Sequence, residues 1–88
     1  MKKIDDRILE HLNETSWATP RSMSYEHEFR YASERRIAER CWVLAHADMI
    51  APMAERTYEI TTWGQLYLKG EIDAAHQPYP NLNMALRG

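Results

Sequence analysis

The sequence predicts a small α+β domain that is mainly helical, and three observations predict it. In the stretch Ser33 to Ile50, Ile37, Cys41 and Leu44 recur at helical spacing and form one apolar stripe. Thr57-Tyr58-Glu59-Ile60-Thr61 alternates in polarity and is rich in β-branched and aromatic residues, the pattern of a half-buried strand. Thr19-Pro20 reads as a helix cap followed by a first helical position.

The elements follow in order. Asp5 or Asp6 caps a first helix whose stripe is Ile4, Ile8, Leu9 and Leu12, and both acids suit its positive end. Trp17-Ala18-Thr19 is extended, because the residue before a proline is steered away from helix. A second helix covers Pro20 to about Glu28, with Met23, Phe29 and Tyr25 as its thin apolar content and Phe29 to Ala32 as the turn after it. Ser33 caps the third helix, which runs to about Ala47; Asp48 ends it in left-handed geometry. A strand from Ile50 to about Met53 must keep Pro52 on an unpaired side, since proline donates nothing to a ladder. Ala54-Glu55-Arg56 connects it to the second strand, where Tyr58 and Ile60 face inward. Thr62 caps a final helix over about Trp63 to Ala75, with Trp63, Leu66, Tyr67 and Ile72 on its apolar face. Gly64 and Gly70 each weaken that helix by about 1 kcal/mol relative to alanine. Residues 1–75 form one domain and 76–88 an extended or loosely packed tail.

A second helix braced against a third, followed at once by a hairpin, is the winged helix-turn-helix order: three-helix core, β-hairpin wing, C-terminal helix. The third helix, about residues 33–47, then presents Arg35, Arg36, Glu39 and Arg40 opposite its apolar stripe, and such a helix fits the major groove of duplex DNA. Arginine forks suit guanine edges and phosphates, and Glu39 can accept from the amino group of cytosine. Ser33 caps this helix and can also touch phosphate. Arg21 and Arg30 flank the helix-turn-helix as phosphate anchors, and Arg56 is the single cation at the wing tip. Trp42 is expected to pack in the core or an interface; Trp17, Trp63, Tyr58 and Tyr67 build the core and its edges.

Charge argues in part the other way. Net charge is −2, and a nucleic-acid binder is usually basic. From Pro20 to Arg40, however, five arginines face four glutamates, so the middle of the chain is slightly cationic. Two readings stay open: a regulator that binds double-stranded DNA sequence-specifically, and a winged-helix module for protein–protein interaction or dimerisation. Nothing points to an enzyme, since no Gly-rich phosphate loop and no nucleophile–base pair stands out. His11, His27, His46 and His76 are scattered and Cys41 is the only cysteine, so neither a metal site nor an intrachain disulfide is expected. Cys41 on the apolar stripe reads as a buried, inert thiol. No cofactor or small-molecule ligand is expected. No apolar run is long enough to span a membrane, and Met-Lys-Lys-Ile-Asp-Asp lacks the apolar stretch of a signal peptide, so the expected location is cytoplasmic.

Four segments carry a resemblance. Asp5-Asp6-Arg7-Ile8-Leu9-Glu10 opens the first helix; Ser16-Trp17-Ala18-Thr19-Pro20-Arg21 enters the second. Leu44-Ala45-His46-Ala47-Asp48-Met49-Ile50 is similar to an "LAxAGLI" helix end, and Tyr58 through Gly64 with Tyr67-Leu68 to a "YxITxxGxxYL" strand and helix. In this order, across residues 4–75, they resemble the small haloarchaeal winged helix-turn-helix proteins that include those named for the repressor of the halophage phiH1. The sequence departs from that pattern at Asp48, where glycine is usual, in a long Ser22–Tyr31 segment and in a wing without glycine. The resemblance implies archaeal, repressor-like transcription regulation through DNA binding, often as a homodimer.

Overall fold

The computed structural model describes residues 2–70; the expected tail, and Ile72 and Ala75 of the expected last helix, lie outside them. Four α-helices and one hairpin follow in the order α1 (Lys3–Thr15), α2 (Pro20–Ser24), a 3-10 turn (His27–Phe29), α3 (Glu34–His46), β1 (Ile50–Ala54), β2 (Thr57–Ile60) and α4 (Thr62–Leu68). This is the α+β, mainly helical winged helix-turn-helix that the sequence predicts. Among the described residues, no helix is long and apolar enough to cross a membrane.

The core is where the helical stripes meet. Ile8, Leu9 and Leu12 of α1, Met23 of α2, Ile37, Cys41 and Leu44 of α3, and Phe29, Met49 and Ile50 are all buried. Apolar area removed from water drives this assembly at roughly 25 cal/mol per Å². Ile4, Tyr58, Ile60, Trp63 and Tyr67 pack against its edge. Trp17, expected in the core or at its edge, is 58% exposed, and Trp42 is 61% exposed, which removes the core from its two expected places.

The first helix is capped from inside. Lys2 stands at the cap position, and its backbone N–H donates to Asp5 Oδ2 at 2.9 Å. Asp5 therefore acts from the third helical position rather than from the cap. It is also fully buried, and Arg40 Nε and Nη2 donate to its two oxygens, each at 2.8 Å. One side chain thus joins the start of α1 to the middle of α3.

The second helix is shorter than predicted. It stops at Ser24, whose hydroxyl donates to the Arg21 carbonyl at 2.6 Å, a local bond that competes with helix propagation. Glu26 is extended, and the chain re-enters a single 3-10 turn that drops Phe29 into the core. Tyr25, left on the outside, is 74% exposed.

At the far end of α3, Asp48 takes φ 62° and Met49 N–H donates to the Leu44 carbonyl at 3.0 Å, the left-handed ending expected there. β1 and β2 pair antiparallel, Ile50 with Ile60 and Pro52 with Tyr58, and Met53 bulges before Ala54 meets Thr57. Tyr58 exchanges both backbone hydrogen bonds with Ala18, at 2.9 and 3.0 Å. Pro52 therefore faces β2 at a position that asks no N–H of it. The same pairing makes the extended Ala18 a one-residue third strand.

Thr61, not Thr62, caps α4: its hydroxyl oxygen accepts from Gly64 N–H at 3.1 Å, and its hydroxyl donates to the Asp48 carbonyl at 2.6 Å. Because Thr61 N–H is itself tied to the Met49 carbonyl, the helix starts one residue early. It ends at Leu68, before Gly70 at φ 77°, short of the predicted Ala75. A Cβ on Gly64 would fall on the Met49 carbonyl oxygen and crowd Ile60, so this glycine allows α4 to pack against the link between α3 and β1.

Candidate nucleic-acid interface

The third helix buries Ile37, Cys41 and Leu44 and leaves Glu34, Arg35, Arg36, Glu39, Trp42 and Val43 outside. Its start is fixed by Ser33, whose Oγ accepts from Arg36 N–H at 3.1 Å. The exposed Arg35 and Arg36 are therefore carried on the first turns of a helix whose back is anchored in the core.

On one side of this ridge lies an open groove of about 1170 Å³. Its walls are the start of α2, α3 and the hairpin, and it gathers Arg21, Arg35 and Arg56 with Glu34, Glu55 and Trp42. Thr19 accepts from Ser22 N–H at 2.9 Å and so fixes the mouth of α2. Arg21 Nε donates to the Tyr25 hydroxyl at 3.3 Å, a bond that favours the charged guanidinium and raises its pKa. At the wing tip, Arg56 sits at φ 54° and is exposed. It occupies the left-handed turn position where a glycine is the usual occupant.

On the other side of the ridge a smaller depression is lined by Lys3, Arg7, Arg30 and Arg36, with Tyr31 and Glu28. The Arg30 guanidinium lies 4.6 Å over the Tyr31 ring and donates to the His27 carbonyl at 3.0 Å. Glu28 is held by His11 Nδ1 at 2.8 Å. The structure therefore separates the predicted cations: Arg21, Arg35 and Arg56 face one depression, Arg30 and Arg36 the other.

Arg40 joins neither group through its ion pair. Its guanidinium is turned back onto Asp5, and only 16% of the side chain is exposed. Burial raises the pKa of the Asp5 carboxyl, but the hydrogen bonds from Arg40 and Lys2 and the guanidinium charge outweigh it, and the net shift is downward. Arg40 lies beside Arg35, Arg36 and Glu39 on one surface of α3, as expected, but its guanidinium is committed to Asp5. Glu39 is exposed on the ridge between the two depressions.

Lys3 and Arg7 line this depression without being among the cations the sequence points to. The available signal was their four-residue spacing, which puts both on one face of α1, off the Ile8–Leu12 stripe. Trp42 lines the groove instead of the core. Its ring lies 4.0 Å from His46, and His46 Nδ1 is 3.0 Å from the Trp42 carbonyl. Cys41 is buried, and burial pushes its thiol up to about 12, as an inert core cysteine requires. Among the described residues no three His, Cys, Asp or Glu side chains gather as a metal site.

No family model and no curated protein sequence matches the chain. Among solved structures, it is similar to the PhiH1 repressor-like protein of Haloarcula marismortui, with 38% sequence identity over 84% of this chain and 83% of that one. The two folds superpose with a TM-score of 0.81. Identity of that order, over most of both chains and with folds that superpose so closely, identifies the protein as a member of the PhiH1 repressor-like family of winged helix-turn-helix proteins.

Proposed function

We propose that the protein is a sequence-specific, double-stranded DNA-binding transcriptional regulator of repressor-like type. The observation that carries this reading is the exposure of Arg35 and Arg36 on the first turns of α3, a helix otherwise fixed in the core. Both can reach base edges or phosphates in the major groove, with Glu39 beside them as an acceptor for cytosine. Ser33, Arg21, Arg30 and Arg56 hold the backbone. Arg40 is left out, because leaving Asp5 would strand a buried carboxylate. The relative's name, a repressor-like protein, supports the same reading. One small module covers few base pairs, so the working species is a homodimer on a two-fold site.

The test is selection of binding sites from random duplexes, followed by titration of Arg35→Ala and Arg36→Ala on the selected site. Loss of a bidentate base contact costs about 1–3 kcal/mol, or roughly 5- to 150-fold in affinity, and relaxes preference at one position. A selection that enriches no sequence refutes the reading. The exposed Trp42 and Val43 favour a second reading, a protein-interaction module, which that negative outcome would support.

A further inference from the structure

The two depressions beside α3 differ in charge. In the groove toward the hairpin, three arginines face two carboxylates, Glu34 and Glu55. In the depression toward α1, four cations (Lys3, Arg7, Arg30 and Arg36) face Glu28 alone, and Glu28 already contacts His11. The stronger cationic surface is therefore on the α1 side, away from the wing.

We infer that the Lys3, Arg7, Arg30 and Arg36 depression is a phosphate-binding site that holds one backbone strand of a DNA duplex while α3 lies in its major groove. The inference rests on the proposed DNA reading and adds Lys3 and Arg7 to Arg30 and Arg36 as one site on a single strand.

Three elements converge to build it: the first turns of α1, the segment after the 3-10 turn, and α3. The two acids in the first turns of α1 are turned elsewhere. Asp5 is buried against Arg40, and Asp6 accepts from the Tyr67 hydroxyl at 2.6 Å on the α4 side. Arg7 is held only loosely, 3.9 Å from Glu10, with both side chains about half exposed. Such an exposed pair costs little to open. Arg30 is held over Tyr31 by a neutral ring and a carbonyl, so its position is fixed while its charge stays unneutralised.

Position agrees with charge. Arg35 opens toward the hairpin groove and Arg36 toward the α1 depression, with the ridge of α3 between them. A helix in the major groove has one phosphate strand on each side. The hairpin-side arginines then meet one strand and the α1-side cluster the other.

The experiment measures affinity against salt for wild type, for the triple variant Lys3→Gln/Arg7→Gln/Arg30→Gln, and for Lys69→Gln as a charge control that does not line the depression. The probes are the selected duplex and an unrelated duplex of equal length. Circular dichroism checks that each variant is folded. The triple variant is expected to bind both duplexes more weakly by a similar factor, on the order of 10- to 100-fold, and its log–log salt slope should fall by about 2–3, near 0.9 for each lost phosphate contact. Lys69→Gln should stay within about 2-fold. A triple variant that keeps wild-type affinity and slope overturns the site while leaving the DNA reading intact. A loss confined to the selected duplex also overturns it, because phosphate contacts carry no sequence information. Wild-type protein that binds neither duplex overturns both proposals together.

Discussion

Arg35 and Arg40 stand on the same helix, carry the same side chain and have opposite surroundings. Arg35 is exposed on the groove wall with no fixed ion pair among the described residues. Arg40 donates twice to a carboxylate that no water reaches. The difference lies in the partner and not in the arginine: Asp5, 35 residues away, turns one guanidinium into a strut between α1 and α3. An arginine on a presented helix is available to a ligand only if the fold has not already occupied it.

The sharpest way to break this contrast is Arg40→Ala. It leaves the buried Asp5 carboxylate without its partner, and we expect a loss of about 3 kcal/mol, the low end for a broken buried pair because Arg40 reaches the surface. Urea unfolding at neutral pH measures it. The pH dependence carries a sign that can be checked. In the wild type the Asp5 pKa is lowered on folding, so its contribution is present above the unfolded value, about 3.9, and is lost as pH falls below it. In the variant, burial acts without the hydrogen bonds and charge of Arg40 against it, and the carboxyl gains from taking up a proton. The stability gap between the two proteins should therefore narrow on acidification from pH 6 toward about pH 3. A gap independent of pH would show that Asp5 is not the group responsible.

A smaller effect separates stability from binding at the wing. Arg56 pays a backbone cost at φ 54° that glycine would not, so Arg56→Gly should raise the unfolding free energy by up to about 1 kcal/mol. The same change should weaken duplex binding by a few-fold if Arg56 holds phosphate. Thermal melts and salt titrations on one preparation read both. Loss of stability would instead mean that the side chain has a folding role. The smallest expected effect is at Cys41: with its thiol at about 12 and buried, a thiol reagent at pH 8 should leave it unmodified in native protein and label it in denaturant. Rapid labelling of native protein would show that the back of α3 opens.

Much of the fold was legible because it is written in local periodicity. The stripes of α1 and α3, the Thr19-Pro20 start of α2, the Ser33 cap and the left-handed Asp48 all follow from residues within a few positions of one another. What escaped depends on distant or competing contacts. The break in the second helix comes from the local bond of Ser24 and the descent of Phe29 into the core. Gly64 reads as a weak point in a helix, but space at the Met49 carbonyl makes it the residue that lets α4 dock. Arg56 in left-handed geometry breaks the sequence preference for glycine at such turns. The cations of the candidate site were mostly visible as residue types. Their division between two depressions was not, because it depends on how α1, α3 and the hairpin are packed.

The paired Ala18 and Tyr58 have a mechanical consequence. Their two hydrogen bonds stitch the approach to α2 onto the hairpin, so one wall of the groove cannot swing away from another without tearing a sheet. The spacing between the mouth of α2 and the base of the wing is thus set by backbone geometry, about 4.8 Å per strand, and not by side-chain rotamers. A ligand that fits this gauge docks without first freezing a floppy jaw, which keeps the entropic cost of association low and makes the groove a poor host for any shape it does not already match.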